Sequence, residues 1–143
     1  YMQVVIFDFY GVIFNPATSQ PMVGLREFVD LLHVHGVQCG VASSSLSAHI
    51  AAFLQEHNLV EYFPVIIGLG EVTHTKPNPE CYQAVARAYD VKPADCVVID
   101  DSLNAIASAK QAGFEAIYYG NGLDNFEKIA TLLKLWACIY QQP

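Results

Sequence analysis

Short apolar runs alternate with helical spacings along the whole chain. Residues Gln3 to Phe9 carry VVIF between polar ends and predict a buried strand. Leu25, Phe28, Val29 and Leu32 then fall at helical spacing, which predicts an amphipathic helix up to about His35, stopped by Gly36. Gln38 to Ala42 predicts a second strand, and Ser47 offers a cap for a helix running to His57. A third strand follows over Val65 to Gly68, then a helix from Pro79 to Asp90, with proline at its first position. Cys96 to Asp100 predicts a fourth strand, followed by a helix from Leu103 to Ala112 that Gly113 ends. Glu115 to Tyr119 predicts a fifth strand, and Asp124 to about Leu135 a last helix.

Strands alternating with helices predict parallel pairing, and strands that are apolar throughout predict burial on both faces. The expected fold is therefore α/β: a mainly parallel five-stranded sheet with helices on both faces. Ligands of such sheets bind beyond the carboxyl ends of the strands, near the point where the strand order reverses.

The residues at those ends carry chemistry. The first strand ends in Asp8, and the second runs into Ser43, Ser44 and Ser45. Lys76 follows the third strand, and Asp100, Asp101 and Ser102 close the fourth. Any one of these Asp or Ser residues also reads as a helix cap. Four sets at four successive strand ends point instead to a site. Paired carboxylates suit a hard cation such as Mg²⁺. A lysine beside them relieves their repulsion and pairs with a phosphate. Serine hydroxyls and the backbone N–H groups after them hold further phosphate oxygens.

Composition narrows the choices. The 143 residues fit a single domain spanning 1–143. Fourteen acidic residues against seven basic ones leave a charge of -7, which excludes ordinary nucleic-acid binding. Charged residues are only 15%, against about 25% in typical globular domains, while 53% are hydrophobic. That excess, and the apolar stretch from Leu132 to Tyr140 that includes Trp136, predict a covered face and a homodimer. Cys39, Cys81, Cys96 and Cys138 lie too far apart for a zinc or redox motif and read as buried thiols. With no leader and no apolar run of about 18 residues, the expected setting is the reduced cytoplasm, away from membranes.

The constellation resembles the haloacid dehalogenase-like (HAD) hydrolase superfamily over nearly the whole chain. VVIFDFYGVIF matches the first motif, with Asp8 at the nucleophile position and Gly11 in place. VASSS matches the second through Ser43, KPNPE the third through Lys76, and VVIDDS the fourth through Asp100 and Asp101. NAIASAKQAGF is similar to the small-residue helix and glycine stop that follow. The resemblance implies a three-layer Rossmann-like core and attack on phosphorus by Asp8, giving an aspartyl-phosphate that water hydrolyses. It implies Mg²⁺ held by Asp8, the Tyr10 carbonyl, Asp101 and Asp100, with Ser43, Ser44 and Lys76 on the phosphate of a small molecule or macromolecule.

Two departures stand out. Position 10 is Tyr, where phosphatases of the family carry a second Asp for acid–base work worth about 10²–10⁴-fold. A phenol, with an ordinary pKa of about 10, is a poor base at neutral pH. Many members also insert a cap domain where only the polar Val12 to Gly24 segment stands here, so a capless, open site is expected. The leading expectation is thus a weak, phosphatase-like hydrolase. One alternative is a catalytically degenerate binding or interaction protein. Another is a dehalogenase acting on carbon–halogen bonds, since that branch carries Asp-x-Tyr-Gly. The retained Asp100–Asp101 pair speaks against it, as does the lack of a substrate arginine, Arg26 and Arg87 both lying on predicted helices. His33, His35, His49 and His57 read as structural, while His74 is the histidine nearest the site.

Overall fold

The structure, a computed structural model, describes residues 2–140, with side chains as far as Leu133. Its centre is β1, Val4–Phe7, flanked by β4 (Gln38–Leu46) and β6 (Cys96–Asp100). Strands β5 (Val65–Leu69) and β7 (Glu115–Tyr118) form the two edges, giving the order β5-β4-β1-β6-β7. All four pairings are parallel. The chain builds outward from β1 through β4 to β5, then crosses back to β6 and β7. The order therefore reverses beside β1, where such sheets place their ligands.

Residue alternation explains the layers. In β1, Val5 and Phe7 face one side of the sheet and Val4 and Ile6 the other, and all four are buried. Helices α1 (Leu25–Val34), α2 (Ser47–Glu56) and α5 (Phe126–Tyr140) pack on the Val5 side. Helices α3 (Glu80–Ala88) and α4 (Leu103–Gln111) cover the Val4 side. A Cβ on Gly40 would come within 2.6 Å of the Val85 side chain, so only glycine lets α3 lie this close to β4. On the other face Phe7 meets Phe63 edge-on at 5.3 Å and Phe28 at 5.8 Å.

The predicted elements are all present, with local differences: Pro79, expected as the first helical residue, holds the cap position before α3. Ser47 is the first residue of α2 and not its cap; Leu46 holds the cap position without a side-chain bond. Strand β4 runs past Ser43 to Leu46, with an irregular register after Ala42. The segment read as a polar flap contains a small antiparallel hairpin, β2 (Phe14–Asn15) against β3 (Gln20–Pro21). It is pinned by Val12 and Ile13, both fully buried, and by the Met22 N–H donating to the Ile13 carbonyl at 2.8 Å.

The predicted reduced thiols are found at Cys39, Cys81 and Cys96, each buried and unpaired. Burial pushes Cys39 and Cys96 up to about 12 and Cys81 up to about 11, so none is a ready nucleophile. Among the described residues, no helix is long and apolar enough to cross a membrane. The last helix buries Leu133 and half-buries Leu132. The expectations placed on Leu135, Trp136, Cys138, Ile139 and Tyr140 lie outside the described side chains.

Candidate active site

The register of β1 against β6 sets Phe7 beside Ile99, so Asp8 and Asp100 leave the sheet as neighbours. The Asp8 N–H still donates to the Ile99 carbonyl, at 2.9 Å, which fixes the position where β1 ends. Lys76 reaches both acids from the loop after β5. Its Nζ donates to Asp8 Oδ1 at 2.8 Å and to Asp100 Oδ2 at 2.7 Å. Asp8 Oδ1 also accepts from the Phe9 N–H at 2.9 Å. Asp8 Oδ2 takes part in neither bond.

Asp100 is the most thoroughly braced residue of the group. Its Oδ2 accepts from the Tyr82 hydroxyl at 2.6 Å as well as from Lys76, and its Oδ1 accepts from the Ser102 N–H at 3.0 Å. The Tyr82 ring also lies 5.2 Å below the Lys76 ammonium. Ser102 caps α4, accepting from the Ala105 N–H, and Ser43 Oγ accepts from the Ser45 N–H at 3.0 Å. Ser102 thus serves as a helix cap and Ser43 bonds locally within β4, and both line the cavity.

All seven residues singled out by sequence meet here. Asp8, Tyr10, Ser43, Ser44, Lys76, Asp100 and Asp101 line one cavity of about 300 Å³. Sequence reasoning missed Tyr82, Asn104 and the role of Pro77 as a wall. Tyr82 falls in the inward stripe of α3 with Cys81, Val85 and Ala86, and so reads as core. The available signal was that a buried phenol hydroxyl must find a polar partner. Arg26 is not simply solvated: its Nη2 donates to the His57 carbonyl at 2.6 Å, tying α1 to the end of α2.

Burial raises Asp8 to about 7 even though Lys76 pulls the other way, with Asp100 adding to the rise. Lys76 is pulled down by burial, but Asp8 and Asp100 outweigh this and hold it above the ordinary lysine value. Burial, then the charge of Asp100 and the bond to it, raises Tyr82, which stays a neutral donor. The site therefore has one cation set between two acids, with Asp101 as a third acid at the solvent edge.

Asp8, Asp100 and Asp101 offer carboxylate oxygens within 4.8 Å of one another. This all-oxygen set, without sulfur or imidazole, is the chemistry of a hard cation. Gly11 leaves room for it: at φ +89° a Cβ would stand 2.1 Å from Asp101 Oδ2. The residues present therefore fit a Mg²⁺ ion.

Comparison with known proteins agrees with this geometry. The family model for haloacid dehalogenase-like hydrolases matches residues 2–113. A phosphoglycolate phosphatase of Salmonella paratyphi A is 31% identical over 126 residues, covering 87% of this chain and 50% of that protein. A bifunctional riboflavin kinase/FMN phosphatase of Arabidopsis thaliana is 36% identical over 95 residues, 66% of this chain and 25% of that protein. The chain thus spans a quarter to a half of the length of these relatives. A HAD-superfamily hydrolase from Ehrlichia chaffeensis shares the fold, with a TM-score of 0.80 at 20% identity, covering 94% of this chain and 98% of that one. With four motifs gathered at one sheet edge and a family match over most of its length, the chain belongs to the haloacid dehalogenase-like hydrolases.

Proposed function

We propose that this domain hydrolyses phosphomonoesters through Asp8, with Mg²⁺ as cofactor, and that Tyr10 keeps the reaction slow. The observation that carries the reading is the Lys76 bridge between Asp8 and Asp100. It engages Asp8 Oδ1 and not Oδ2, the oxygen that attacks in this reading. In the first step Asp8 Oδ2 bonds to phosphorus and the ester P–O bond breaks. The electron pair leaves with the alcohol oxygen, which takes its proton from water. In the second step a water oxygen bonds to the same phosphorus and Asp8 departs as a carboxylate. Inorganic phosphate is released and the water's proton passes to solvent.

Asp8, Asp101, the Tyr10 carbonyl and the outer side of Asp100 are the groups that would hold Mg²⁺. The ion, when bound, supplies positive charge for the transferring phosphoryl oxygens and favours ionised Asp8. Lys76 orients a phosphate oxygen, and Ser43 and Ser44, which line the same cavity, supply hydroxyl and backbone donors. Tyr10 is 58% exposed and stacked on Phe14 at 5.5 Å, so no carboxylate stands where a leaving group would need a proton. The same substitution supports a second reading, in which the site binds phosphate without turning it over.

The open mouth supports a further part of the proposal, a homodimer that shields the site. Exposed Tyr10 lines the cavity, and exposed Leu46, Leu69 and Leu103 stand at or just after the carboxyl ends of β4, β5 and β6, on the same edge of the sheet. Sedimentation at micromolar concentration reads this part directly; a monomer contradicts it. The main test is phosphate release from a panel of esters, with Mg²⁺ and with chelator. Slow release that needs the cation and disappears in Asp8→Asn is expected. Release indifferent to both changes overturns the reading, and phosphate binding without release selects the second one.

A further inference from the structure

A second cavity adjoins the first. It is a groove of about 850 Å³ between the loop after β5 and the outer face of α4. Lys76, Pro77 and Asn104 line both, so the two are continuous at the Lys76 neck. Beyond that neck the groove presents His74, Thr75, Asn78, Ser108 and Gln111. Hydroxyls and carboxamides both donate and accept hydrogen bonds, as the hydroxyls of a sugar do. Apart from Lys76, no lysine, arginine, aspartate or glutamate lines it.

The groove's shape is held by one acid. Glu80, at the start of α3, accepts from the Thr73 N–H, from the His74 N–H at 3.3 Å and from His74 Nδ1 at 3.1 Å. These bonds fix the loop. A carboxylate can only accept, so His74 Nδ1 donates. Asn78 Oδ1 is likewise committed, to the Glu80 N–H at 3.0 Å, leaving its amide N–H groups as donors. Lys76, the single cation, already faces two carboxylates.

We propose that this groove is the leaving-group subsite of the phosphoryl site and takes a neutral, hydroxyl-rich group such as a sugar or polyol. The proposal rests on the phosphoryl-transfer reading above and adds a substrate class to it. A carboxylated or doubly phosphorylated leaving group would find no cation in the groove besides Lys76, which already faces Asp8 and Asp100. It would also meet the field of a chain carrying a formal charge of -7.

The test uses three probes on the whole chain with Mg²⁺: glucose 6-phosphate, phosphoglycolate, and acetyl phosphate, which is too short to fill the groove. Ser108 and Gln111 lie on α4 outside the cavity that holds Asp8. For the wild type, kcat/KM for glucose 6-phosphate should exceed that for phosphoglycolate by about tenfold or more. The double variant Ser108→Leu with Gln111→Leu should lose about three- to tenfold on glucose 6-phosphate, chiefly in KM, as expected for one or two neutral hydrogen bonds. Its acetyl phosphate turnover, which also reports correct folding, should be unchanged. Ser108→Lys should move the preference toward phosphoglycolate. A wild-type preference for phosphoglycolate, or an unchanged KM for glucose 6-phosphate in the double variant, overturns the subsite. If no probe is turned over, the phosphoryl-transfer reading fails on its own. Calorimetry with glucose 6-phosphate then decides the groove: weaker binding by the double variant supports it, and equal binding overturns it.

Discussion

The ends of β1 and β6 stand side by side, yet the chain treats them in opposite ways. At the end of β6, Asp100 is 1% exposed and accepts from Lys76, Tyr82 and the Ser102 N–H. At the end of β1, Asp8 gives one oxygen to Lys76 and Phe9 and keeps the other out of those bonds. Two residues on, Tyr10 points its ring outward onto Phe14. One end is a braced frame; the other keeps a carboxylate oxygen out of those bonds and has an exposed phenol two residues on. On the proposed function, the difference separates what would hold a phosphate from what would turn it over. A fold can keep the first while altering the second at a single exposed position.

That contrast predicts different kinds of loss at the two ends. Asp8→Asn should reduce phosphate release to the uncatalysed background, because the attacking oxygen is gone, while the folded chain survives. Release persisting in this variant breaks the assignment of the working end. Tyr10→Asp should act in the opposite direction, raising turnover of alkyl phosphates by up to about 10²–10⁴-fold. Acetyl phosphate should gain less, since its leaving group needs no proton. An unchanged rate on alkyl esters would mean that solvent or another residue already supplies the proton.

At the frame, the readout is stability. Lys76→Met leaves two acids buried together without their cation, and loss of one partner of a buried pair costs about 3–5 kcal/mol. Urea unfolding should show that loss, and an unmoved midpoint contradicts the bridge. Tyr82→Phe removes one donor to a charged oxygen, worth about 1.5–3 kcal/mol. It should lower the same midpoint by less, with a smaller effect on turnover than any change at Asp8 or Tyr10. A Tyr82→Phe variant with full stability but no activity would reverse the roles given to the two ends.

The frame was legible in the sequence because it sits where apolar runs stop. A buried parallel strand fixes its last residue, so Asp8, Ser43 and Asp100 were placed by the ends of VVIF, VA and VVI. Lys76 was legible because the prolines and Asn78 after it mark a turn before a helix. Tyr82 was not, because its helical position matches the core stripe and only the fold brings its hydroxyl to Asp100. The hairpin after Tyr10 was hidden for a related reason. Its turn residues read as a polar flap, while Val12 and Ile13, which anchor it, are buried by contacts distant in sequence. The groove along α4 was equally hidden, since Ser108 and Gln111 carry no motif and matter only beside Thr75 and Lys76.

The central claim is that Asp8 receives the phosphoryl group and that Tyr10 leaves it there for want of a base. Rapid quenching of the wild-type chain with acetyl phosphate and Mg²⁺, followed by peptide mass spectrometry, reads this directly. The account predicts one added phosphoryl group on the peptide containing Asp8. It should be absent from Asp8→Asn and shorter-lived in Tyr10→Asp than in the wild type. Phosphate release with no label on Asp8, or a label on another residue, would contradict it.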